Sequence, residues 1–428
     1  MTTIDGGEGE GGGQILRTSF AVSALLGLPI SVVNIRAGRP KPGLAAQHLT
    51  GLELVANICA AADRSDRRRL LDGAKLGSEL VRFSPEACRV SPNGGHWVAD
   101  TRTAGSCTLL VQIALPCIVF GGGDSEISCI GGTNVSNSPS VDEMTLVLFP
   151  LLARFGVSAQ LELVRRGFYP KGQGELRLRC KPSCSLAAIE LVDRGELKRL
   201  TITIGLAGRW AKLSAVATHL ADELTKAFGQ ALPAVEIAVT QTKDAHACDD
   251  AAFVCVSTVT TTGCMLGAAE VTDKKTSWKE IASKVVPKFL RQVNSGSCLD
   301  EWVADQVLIF MALAKGTSKI KLSRAAITPH FETGVALIER LLGVQFRKTA
   351  ATAHPELVVV ECCGIGYANR NSDVTPTRRP PIGGSSIASK SATTEVLSKE
   401  EALRRFIARK ATLGATSNAN ADGNALSS

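Results

Sequence analysis

A helix followed by a β-branched strand recurs three times along this chain, and this repetition constrains the fold more than any other feature. Each copy begins at a glycine, at Gly12, Gly105 and Gly296, and continues through about 15 helix-compatible residues to a further glycine and a β-branched run. A second helical segment and more strand-like sequence follow each time. The pattern predicts an α/β fold of three repeated units, each with two helices on a four-stranded sheet. Because two helices cover only one face of such a sheet, we expect the units to pack their helices against one another.

The spacing of the three copies predicts an additional domain. The interval from Gly105 to Gly296 is about twice that from Gly12 to Gly105, and the excess equals one small domain. Strand-like and helix-like segments alternate within it, so we expect a smaller α/β domain at 185–275, inserted before the third unit. The predicted domains are 1–184 with the first two repeats, 185–275, 276–370 with the third repeat, and a tail at 371–428.

The composition of the tail differs from that of the rest. After Asn369 it shifts to Ser, Thr, Pro, Ala and Asn, which is typical of a disordered segment. One amphipathic helix is predicted inside it, because Ser398 and Glu401 form a capping box ahead of apolar residues with basic residues opposite. Such a helix either contacts a partner or RNA, or is a loosely attached, solvated helix.

Charge and aromatic content restrict the classes of partner. With 45% hydrophobic and 21% charged residues in a chain of 428, the composition is that of a protein with a large core. The formal net charge of +8 is compatible with a phosphate-bearing partner without proving one. Aromatic residues make up only 4% of the chain, so binding of single strands on a platform of stacked aromatics is not expected to dominate.

The cysteines and the amino terminus point to a reducing compartment. The 13 cysteines are odd in number and include no CxxC pair, which favours free thiols over a disulfide framework or a zinc site. The amino terminus is acidic and glycine-rich, without the features of a secretory signal. The uncharged stretch from Ala104 to Gly123 contains Gln112 and Pro116 and is interpreted as a core helix rather than a membrane span. We therefore expect a soluble intracellular protein without a membrane partner.

The glycine-rich segment before the first helix has the character of an anion site. Glycines surround Glu8 and Glu10, and glycines at a helix amino terminus leave backbone N–H groups free to meet an anion. The chain contains no P-loop sequence, so a nucleotide site of that kind is not expected. Glu10 is either a carboxylate that stabilises the helix dipole or, with a bound nucleotide, a ligand to a divalent metal.

Two segments rich in Gly and Pro carry clustered cations. Rigid loops with several cations suit the clamping of phosphate or carboxylate groups, and the alternative is a solvated basic loop. The segment at 165–175, RRGFYPKGQGE, is also interpretable as a simple hairpin turn. The other segment contains Arg36, Arg39 and Lys41, followed by Gln47 and His48 just inside the next helix.

One histidine differs from the others in its local sequence. Thr328 and Pro329 precede it as predicted N-cap and first helical residue, so His330 is expected in the first turn of a helix. The positive end of the helix dipole disfavours imidazolium there and leaves a nitrogen lone pair available. A nucleophilic histidine needs such a lone pair, although a first-turn histidine taken alone is more often structural.

Polar residues interrupt two otherwise apolar helices. Asp305 and Gln306 lie in the middle of one, and Gln112 lies in the equivalent helix of the second unit. Buried polar groups need hydrogen-bond partners. These residues are therefore either bonded to one another or line a ligand site.

Several of these segments together match a known family. They are EGGGQILR at 10–17, IRAGRPKPGL at 35–44 with the QH pair at 47–48, AGSCTLLVQ at 104–112, GGTN at 131–134, RRGFYPKGQGE at 165–175, and ADQ at 304–306. In these segments the chain resembles the RNA 3′-terminal phosphate cyclases over about residues 1–365. The resemblance implies three repeated α/β units with a smaller α/β domain inserted before the third, in agreement with the spacing of the repeats.

The resemblance also implies an activity, that of an ATP-dependent ligase acting in RNA processing. The histidine aligned with His330 attacks the α-phosphorus of ATP and carries AMP, which then passes to an RNA 3′-phosphate as an RNA-pp-A end. The neighbouring 2′-hydroxyl finally expels AMP and leaves a 2′,3′-cyclic phosphodiester. Arginines and a divalent metal, Mg²⁺ or Mn²⁺, would do most of the electrostatic work. The need for a 2′-hydroxyl makes the partner an RNA with a 3′-terminal phosphate rather than DNA.

The resemblance assigns roles residue by residue. It makes His330 the catalytic nucleophile and Glu10 the metal ligand. The implied adenylate pocket consists of Gln112, Pro139, Trp302, Asp305 and Gln306. The residues implied to face phosphates of ATP or of the RNA end are Arg17, Arg36, Arg39 and Gln47.

The chain departs from the family pattern at several positions. Trp302 occupies a place where the family usually has tyrosine, and either ring can stack on adenine. Gln173 replaces an expected glycine, Ala45 and Ala46 lie where a basic residue is usual, and Ser138-Pro139-Ser140 replaces Ala-Pro-Pro. The stretch from Asp305 to His330 is slightly longer than usual.

Two other functions fit the sequence less well. A catalytically inactive, cyclase-like ribosome-assembly factor would act through binding surfaces, but such relatives lack the histidine and the EGGGQILR segment that this chain keeps. An enolpyruvyl-transferase-like enzyme would need cationic carboxylate clamps throughout six units and would not need His330. We therefore expect an active cyclase, without an obligate protein partner readable from the sequence, and resident in the nucleus if the source is eukaryotic.

Overall fold

The helices follow the segments with helical periodicity. The computed structural model describes residues 1–60, 67–85, 94–272, 276–351 and 354–368, so the predicted tail at 371–428 lies outside the described residues. Its helices are α1 Gly13–Leu26, α2 Ala46–Cys59, α3 Arg67–Leu70, α4 Cys107–Val119, α5 Val141–Glu143, α6 Phe149–Arg154, α7 Ser214–Ala231, α8 Ile281–Asn294, α9 Glu301–Gln306, α10 Leu308–Leu313 and α11 Pro329–Leu342. A π-helical segment, Met144–Leu148, joins α5 to α6.

Helix α11 begins and ends where its sequence predicts. The hydroxyl of Thr328 accepts a hydrogen bond from the backbone N–H of Phe331 at 3.1 Å, and Pro329 is the first helical residue. Gly343 ends the helix with a φ of 69°, a left-handed conformation that costs glycine least. The predicted place of His330 in the first turn is therefore confirmed.

The strands form four sheets of four strands each. They are β1 Thr2–Asp5, β2 Ile30–Val33, β3 Leu71–Asp72, β4 Val81–Phe83, β5 Gly95–Asp100, β6 Ser125–Gly131, β7 Ser158–Arg165, β8 Gly174–Lys181, β9 Glu190–Leu191, β10 Leu197–Ala207, β11 Glu236–Asp244, β12 Ala251–Thr260, β13 Met265–Val271, β14 Lys315–Ser323, β15 Phe346–Ala351 and β16 His354–Ile365. The described residues thus form a mixed α/β structure, as expected.

Three of the sheets share one strand order. The orders are β1-β2-β4-β3, β5-β6-β8-β7 and β9-β14-β16-β15. In each sheet the first two strands along the chain are parallel neighbours at one edge, and the other neighbours are antiparallel. The fourth sheet differs, since its order β11-β10-β12-β13 places the first two strands in the reverse sequence.

The helices associated with the three similar sheets pack on one another. Helix α1 contacts α2, α4 and α11, and α2 contacts α4. Their apolar residues form a single core, in which the rings of Phe20 in α1 and Phe83 in β4 stack with centroids 4.9 Å apart. The prediction that helices pack against helices is confirmed.

The fourth sheet has a core of its own. The rings of Phe228 in α7 and Phe289 in α8 meet edge to face at 5.6 Å, in a cluster with the apolar residues of β10, β12 and β13. The predicted limits, 185–275, leave out α8 and include β9, which pairs with β14 instead. Along the chain, the strands of the fourth sheet, β10 to β13, therefore follow β9, which is the first strand of the sheet that contains β14, β15 and β16. Strand β9 has only two residues, too few for a periodic pattern to reveal.

Helix α4 accounts for the long uncharged stretch in the sequence. Its residues 110 and 111 and 113 to 119 are all buried in the main core. In the described part of the chain, none of the helices combines the length and apolarity needed to span a membrane.

Candidate active site

A cavity of about 800 Å³ lies where α1, α4, α9 and the start of α11 converge. The loop at 134–140 forms another wall, and β13 and α8 of the fourth sheet form a third. Segments that are remote along the chain therefore meet at one place. The predicted site residues that line this cavity are Glu10, Arg17, Gln112, Pro139, Trp302, Asp305, Gln306 and His330.

A carboxylate orients the ring of His330. Its Nδ1 is hydrogen-bonded to Oδ2 of Asp305, which also accepts a bond from Nε2 of Gln14 at 3.4 Å. Because an ionised carboxylate only accepts, Nδ1 is the donor in this bond, and Nε2 is the ring nitrogen left to carry a lone pair. The resemblance placed Asp305 in the adenylate pocket, and the geometry adds a direct contact with the histidine.

The glycine-rich loop reaches the same histidine through Glu10. Oε2 of Glu10 lies 3.6 Å from Nε2 of His330, and Oε1 accepts from Nη2 of Arg39 at 2.6 Å. The backbone N–H of Glu10 donates to the Thr333 hydroxyl at 3.2 Å. Gly9 has a φ of +58°, and a Cβ there would lie 2.3 Å from the Thr333 hydroxyl oxygen, so only glycine lets the loop approach α11 this closely.

Arg17 is a cation without a direct partner in the described part of the chain. Among the described residues its guanidinium has no hydrogen bond and no ion pair, although Asp305 and Glu10 attract it. Burial lowers the pKa of Arg17 to about 10, which leaves the group charged at neutral pH. A partly buried, unpaired guanidinium on a cavity wall is well suited to bind an anion.

The polar residues of the apolar helices are bonded to one another and also line the cavity. Nε2 of Gln112 donates to Oε1 of Gln306 at 2.7 Å, and Nε2 of Gln306 donates to the backbone oxygen of Trp302 at 2.7 Å. Mutual hydrogen bonding and a place on the wall of a possible ligand site, the two alternatives left open by the sequence, are therefore both observed. Nζ of Lys288 lies 4.3 Å from the centroid of the Trp302 ring, so a cation from α8 covers part of that ring.

Three predicted phosphate-facing residues lie outside the lining of the large cavity. Arg36 donates from Nη1 to the backbone oxygen of Gly43 at 2.7 Å, within its own loop. Burial, with a smaller contribution from Arg39, lowers the pKa of Arg36. Gln47 accepts from the backbone N–H of Ser106 at 3.0 Å and lines a small adjoining cavity together with Arg17. Among the described residues, Arg39 contacts the site through the side chain and the backbone oxygen of Glu10.

The residues at the site that were not assigned from the sequence include His48, Asn134 and Lys288. Burial, reinforced by Arg36 and Arg17, lowers the pKa of His48 to about 3, so this ring is neutral at pH 7. Asn134 lies on the cavity wall within the GGTN segment, which had marked the region without singling out the amide. Lys288 belongs to α8, a helix that was not predicted from the sequence, so no local signal pointed to it.

In the described part of the chain, a divalent metal would find one carboxylate ligand, that of Glu10, rather than a complete set of protein ligands. No group of three His, Cys, Asp or Glu side chains in the described ranges is placed to hold a metal ion. One oxygen of Glu10 is paired with Arg39, and the other is not hydrogen-bonded to any described residue. Mg²⁺ is often held by one or two carboxylates together with substrate phosphates and water. Glu10 fits this mode, in which a nucleotide supplies the remaining ligands.

Comparison with known proteins identifies the family. Residues 8–348 match the model of the family described as RNA 3′-terminal phosphate cyclase. The chain belongs to this family. The RNA 3′-terminal phosphate cyclase of Drosophila melanogaster is 33% identical over 372 residues, which cover 86% of this chain and 98% of that protein. The Salmonella enteritidis protein of the same name is 34% identical over 346 residues, covering 81% and 95%.

The cyclase match extends across domains of life and across the site. The relative of that name from Pyrobaculum neutrophilum is 33% identical over 374 residues, covering 85% of this chain and 99% of its own. Every candidate site residue, from Glu10 to His330, lies inside the stretch matched to the cyclase family. The tail at 371–428 lies outside that stretch.

Proposed function

We propose that this chain converts an RNA 3′-terminal phosphate into a 2′,3′-cyclic phosphodiester with the consumption of ATP. The single observation that carries the proposal is the contact of His330 with Asp305 beside a cavity of about 800 Å³, in a chain of the cyclase family. That cavity is large enough for a nucleotide. The scaffold alternative is not favoured, because the histidine, its carboxylate partner and the glycine-rich loop are all present and assembled.

The architecture of the family is part of the same proposal. The shared strand order of three sheets supports a threefold repeat of one unit. The different order and separate core of the fourth sheet support an inserted domain. In this interpretation the active site lies where the helices of the three repeats meet and one wall comes from the insert.

The first step joins His330 to AMP. Nε2 of His330 attacks the α-phosphorus of ATP, a P–N bond forms, and the bond from the α-phosphorus to the bridging oxygen breaks to release pyrophosphate. Asp305 accepts the Nδ1 proton in a hydrogen bond, which orients the ring and stabilises the positive charge that develops on it. Phosphoryl transfer is limited mainly by charge, so the cation Arg17 beside the histidine would stabilise the transition state.

The adenine ring would occupy the part of the cavity between Trp302 and Pro139. An aromatic ring offers a stacking surface to any base, and a proline ring offers a flat apolar one. Lys288 and Trp302 both line the cavity, so the base would stack on the part of the Trp302 ring that Lys288 leaves uncovered. The amides of Gln112 and Gln306 would supply polar contacts to the nucleoside.

Glu10 would hold the divalent metal together with phosphate oxygens of ATP. The metal would neutralise the charge of the departing pyrophosphate when bound. The residues Arg39 and Thr333 position Glu10 for this role by fixing its side chain and its backbone.

The later steps regenerate the histidine. An oxygen of the RNA 3′-phosphate attacks the α-phosphorus of the histidine-bound AMP, and the P–N bond breaks to give RNA-pp-A. The 2′-hydroxyl then attacks the RNA phosphorus, its proton passes to a base, and AMP leaves with the electron pair of the anhydride bond. Arg39 is paired with Glu10, and Gln47 lines a small cavity together with Arg17. The RNA end would therefore be met by these residues and by Arg36 of the same basic loop.

A phosphatase assay tests this function. The protein is mixed with ATP, Mg²⁺ and an RNA whose 3′-terminal phosphate carries a radioactive label. Cyclisation makes the label resistant to phosphatase, and omission of ATP abolishes the resistance. If the label stays phosphatase-sensitive at every ATP, Mg²⁺ and Mn²⁺ concentration, the proposed function is wrong. The expectation of nuclear residence stays a prediction that fractionation of source cells would check.

A further inference from the structure

The turn between β7 and β8, residues 166–173, lies between two other loops. A Cβ on Gly172, whose φ is +72°, would lie 2.6 Å from the backbone oxygen of Thr103, so this side of the turn contacts the loop at 101–106. On the other side, Nζ of Lys171 donates to the backbone oxygen of Cys248 at 3.0 Å. Its backbone N–H donates to Oδ2 of Asp249 at 3.1 Å. The turn therefore bridges the second sheet and the fourth sheet.

A chain of direct contacts links this turn to the candidate active site. Gln47 accepts a hydrogen bond from the backbone N–H of Ser106, at the end of the loop that the turn contacts. Gln47 also lines the small cavity shared with Arg17, which in turn lines the large cavity. The surface that begins at the phosphate-facing residues continues through the loop at 101–106 to the turn.

The side chains on this surface suit a single-stranded nucleic acid. The side chain of Tyr169 is 47% exposed and is the only exposed aromatic in the described part of the chain. Lys171 lies in the same turn, and Arg102 lies in the loop at 101–106 that the turn contacts; both are exposed. The guanidinium of Arg102 has neither a hydrogen bond nor an ion pair within the described ranges. An aromatic ring next to cations binds single strands by stacking one base and neutralising neighbouring phosphates.

The departure at Gln173 keeps the turn in place. Its φ is +56°, a conformation in which the family's usual glycine would be less strained. Its Oε1 accepts from Sγ of Cys248 at 3.0 Å, so the longer side chain adds a contact with the fourth sheet. The turn is thus held on both sides, and Tyr169 is presented from an anchored segment.

We propose that the β7–β8 turn and the loop at 101–106 bind the RNA nucleotides that precede the 3′-terminal phosphate. A base stacks on Tyr169, and backbone phosphates pair with Arg102 and Lys171. This inference rests on the proposed function, because it assumes that the RNA end lies at His330. It assigns the RRGFYPKGQGE segment a role in binding that a plain hairpin turn would not have.

The test compares RNAs of two lengths. KM for cyclisation is measured with a dinucleotide and with an RNA of about 12 nucleotides, both ending in 3′-phosphate. The ratio of KM for the dinucleotide to KM for the longer RNA is expected to be about tenfold smaller in Tyr169→Ala than in the wild type. Tyr169→Phe is expected to keep the wild-type ratio. Lys171→Gln and Arg102→Gln are each expected to reduce the slope of log KM against log salt by about 0.7 for the longer RNA. Lys226→Gln, on the exposed face of α7, is the matched control and should behave as the wild type.

Direct binding separates this inference from the proposed function. Fluorescence anisotropy with a longer RNA that ends in a 3′-hydroxyl reports the surface even if no cyclisation occurs. Tyr169→Ala should weaken this binding about tenfold as well. Wild-type affinity and length preference in all three variants would overturn the inference while leaving the cyclase function intact. An equal rise of KM for both RNAs would also overturn it, since that would place the residues at the terminal phosphate.

Discussion

At the residue scale, the candidate chemistry depends on how one imidazole is held. His330 lies in the first turn of α11. Its Nδ1 is hydrogen-bonded to Asp305, and its Nε2 lies close to the carboxylate of Glu10. The sequence predicted the position of His330 in a helix from Thr328 and Pro329. It did not predict the contact with Asp305, because nothing local connects two residues on different helices that meet only through packing.

Replacement of the orienting carboxylate tests the role of this contact. Asp305→Asn keeps the shape of the side chain but removes its charge and allows the amide to donate towards the ring. The rate of AMP transfer to the protein is expected to fall by about 10²- to 10⁴-fold, measured in a single turnover with labelled ATP. The control Asp72→Asn alters an exposed carboxylate paired with Arg82 and should leave the rate as in the wild type. A rate within twofold of the wild type in Asp305→Asn would show that the carboxylate does not orient the histidine.

At the scale of elements, the short helix α9 connects the two cores. Asp300 caps α9 by accepting from the backbone N–H groups of Trp302 and Val303, and it also accepts from Gly267 in β13 at 3.0 Å. The same side chain therefore positions both Trp302 and the strand that forms a wall of the cavity. Burial raises the pKa of Asp300 to about 7, against the opposing effect of these hydrogen bonds.

The raised pKa of Asp300 gives its contribution to stability a defined dependence on pH. The folded state retains the proton up to about pH 7, whereas the unfolded state releases it near its ordinary pKa of 3.8. The stabilisation is therefore complete below pH 3.8 and is lost as the pH rises to about 7, by up to about 1.4 kcal/mol per pH unit.

Asp300→Ala should accordingly be most destabilising at low pH. Its free energy of unfolding in urea should fall relative to the wild type by more at pH 5 than at pH 8, with about 1–2 kcal/mol from the lost cap at either pH. Asp222→Ala, an exposed residue of α7, serves as the control and should show no such difference. A cost that grows as the pH rises would contradict the assignment of a protonated, buried Asp300.

At the scale of the whole molecule, one buried arginine joins the main core to the fourth sheet. Arg166 donates to both oxygens of Asp142 at 2.7 Å and to Oδ2 of Asp244 at 3.0 Å, and its guanidinium lies 4.0 Å from the centroid of the Phe253 ring. It also donates to Oδ1 of Asn134, on the cavity wall. The relative placement of two cavity walls thus depends on this group.

Removal of this arginine would leave two carboxylates without their cation. Arg166→Ala is expected to lower the free energy of unfolding by about 3–5 kcal/mol, because unpaired buried charges are costly. Arg209→Ala breaks an exposed pair with Asp250 and should lower the free energy of unfolding far less, because water screens exposed ion pairs. Urea unfolding measures both variants, and equal costs would contradict the role given to Arg166.

The sequence predicted different parts of the molecule unequally well. Glycines and capping residues mark α1 and α11, so their limits could be predicted. Strand β9 was not predicted because two residues carry no periodicity. Helix α8 was not included in the insert because it begins after residue 275, where the insert was expected to end. Eight site residues of the eleven assigned line one cavity because the family resemblance names residues that only packing brings together.

The fate of labelled AMP tests most directly whether His330 carries AMP covalently. The protein is incubated with ATP labelled at the α-phosphorus and with Mg²⁺, denatured, and examined for retained label. A covalent histidyl-AMP predicts label on the wild type that is lost in acid and stable in base, as a phosphoramidate is, and no label on His330→Ala. Equal label on the two proteins would contradict it.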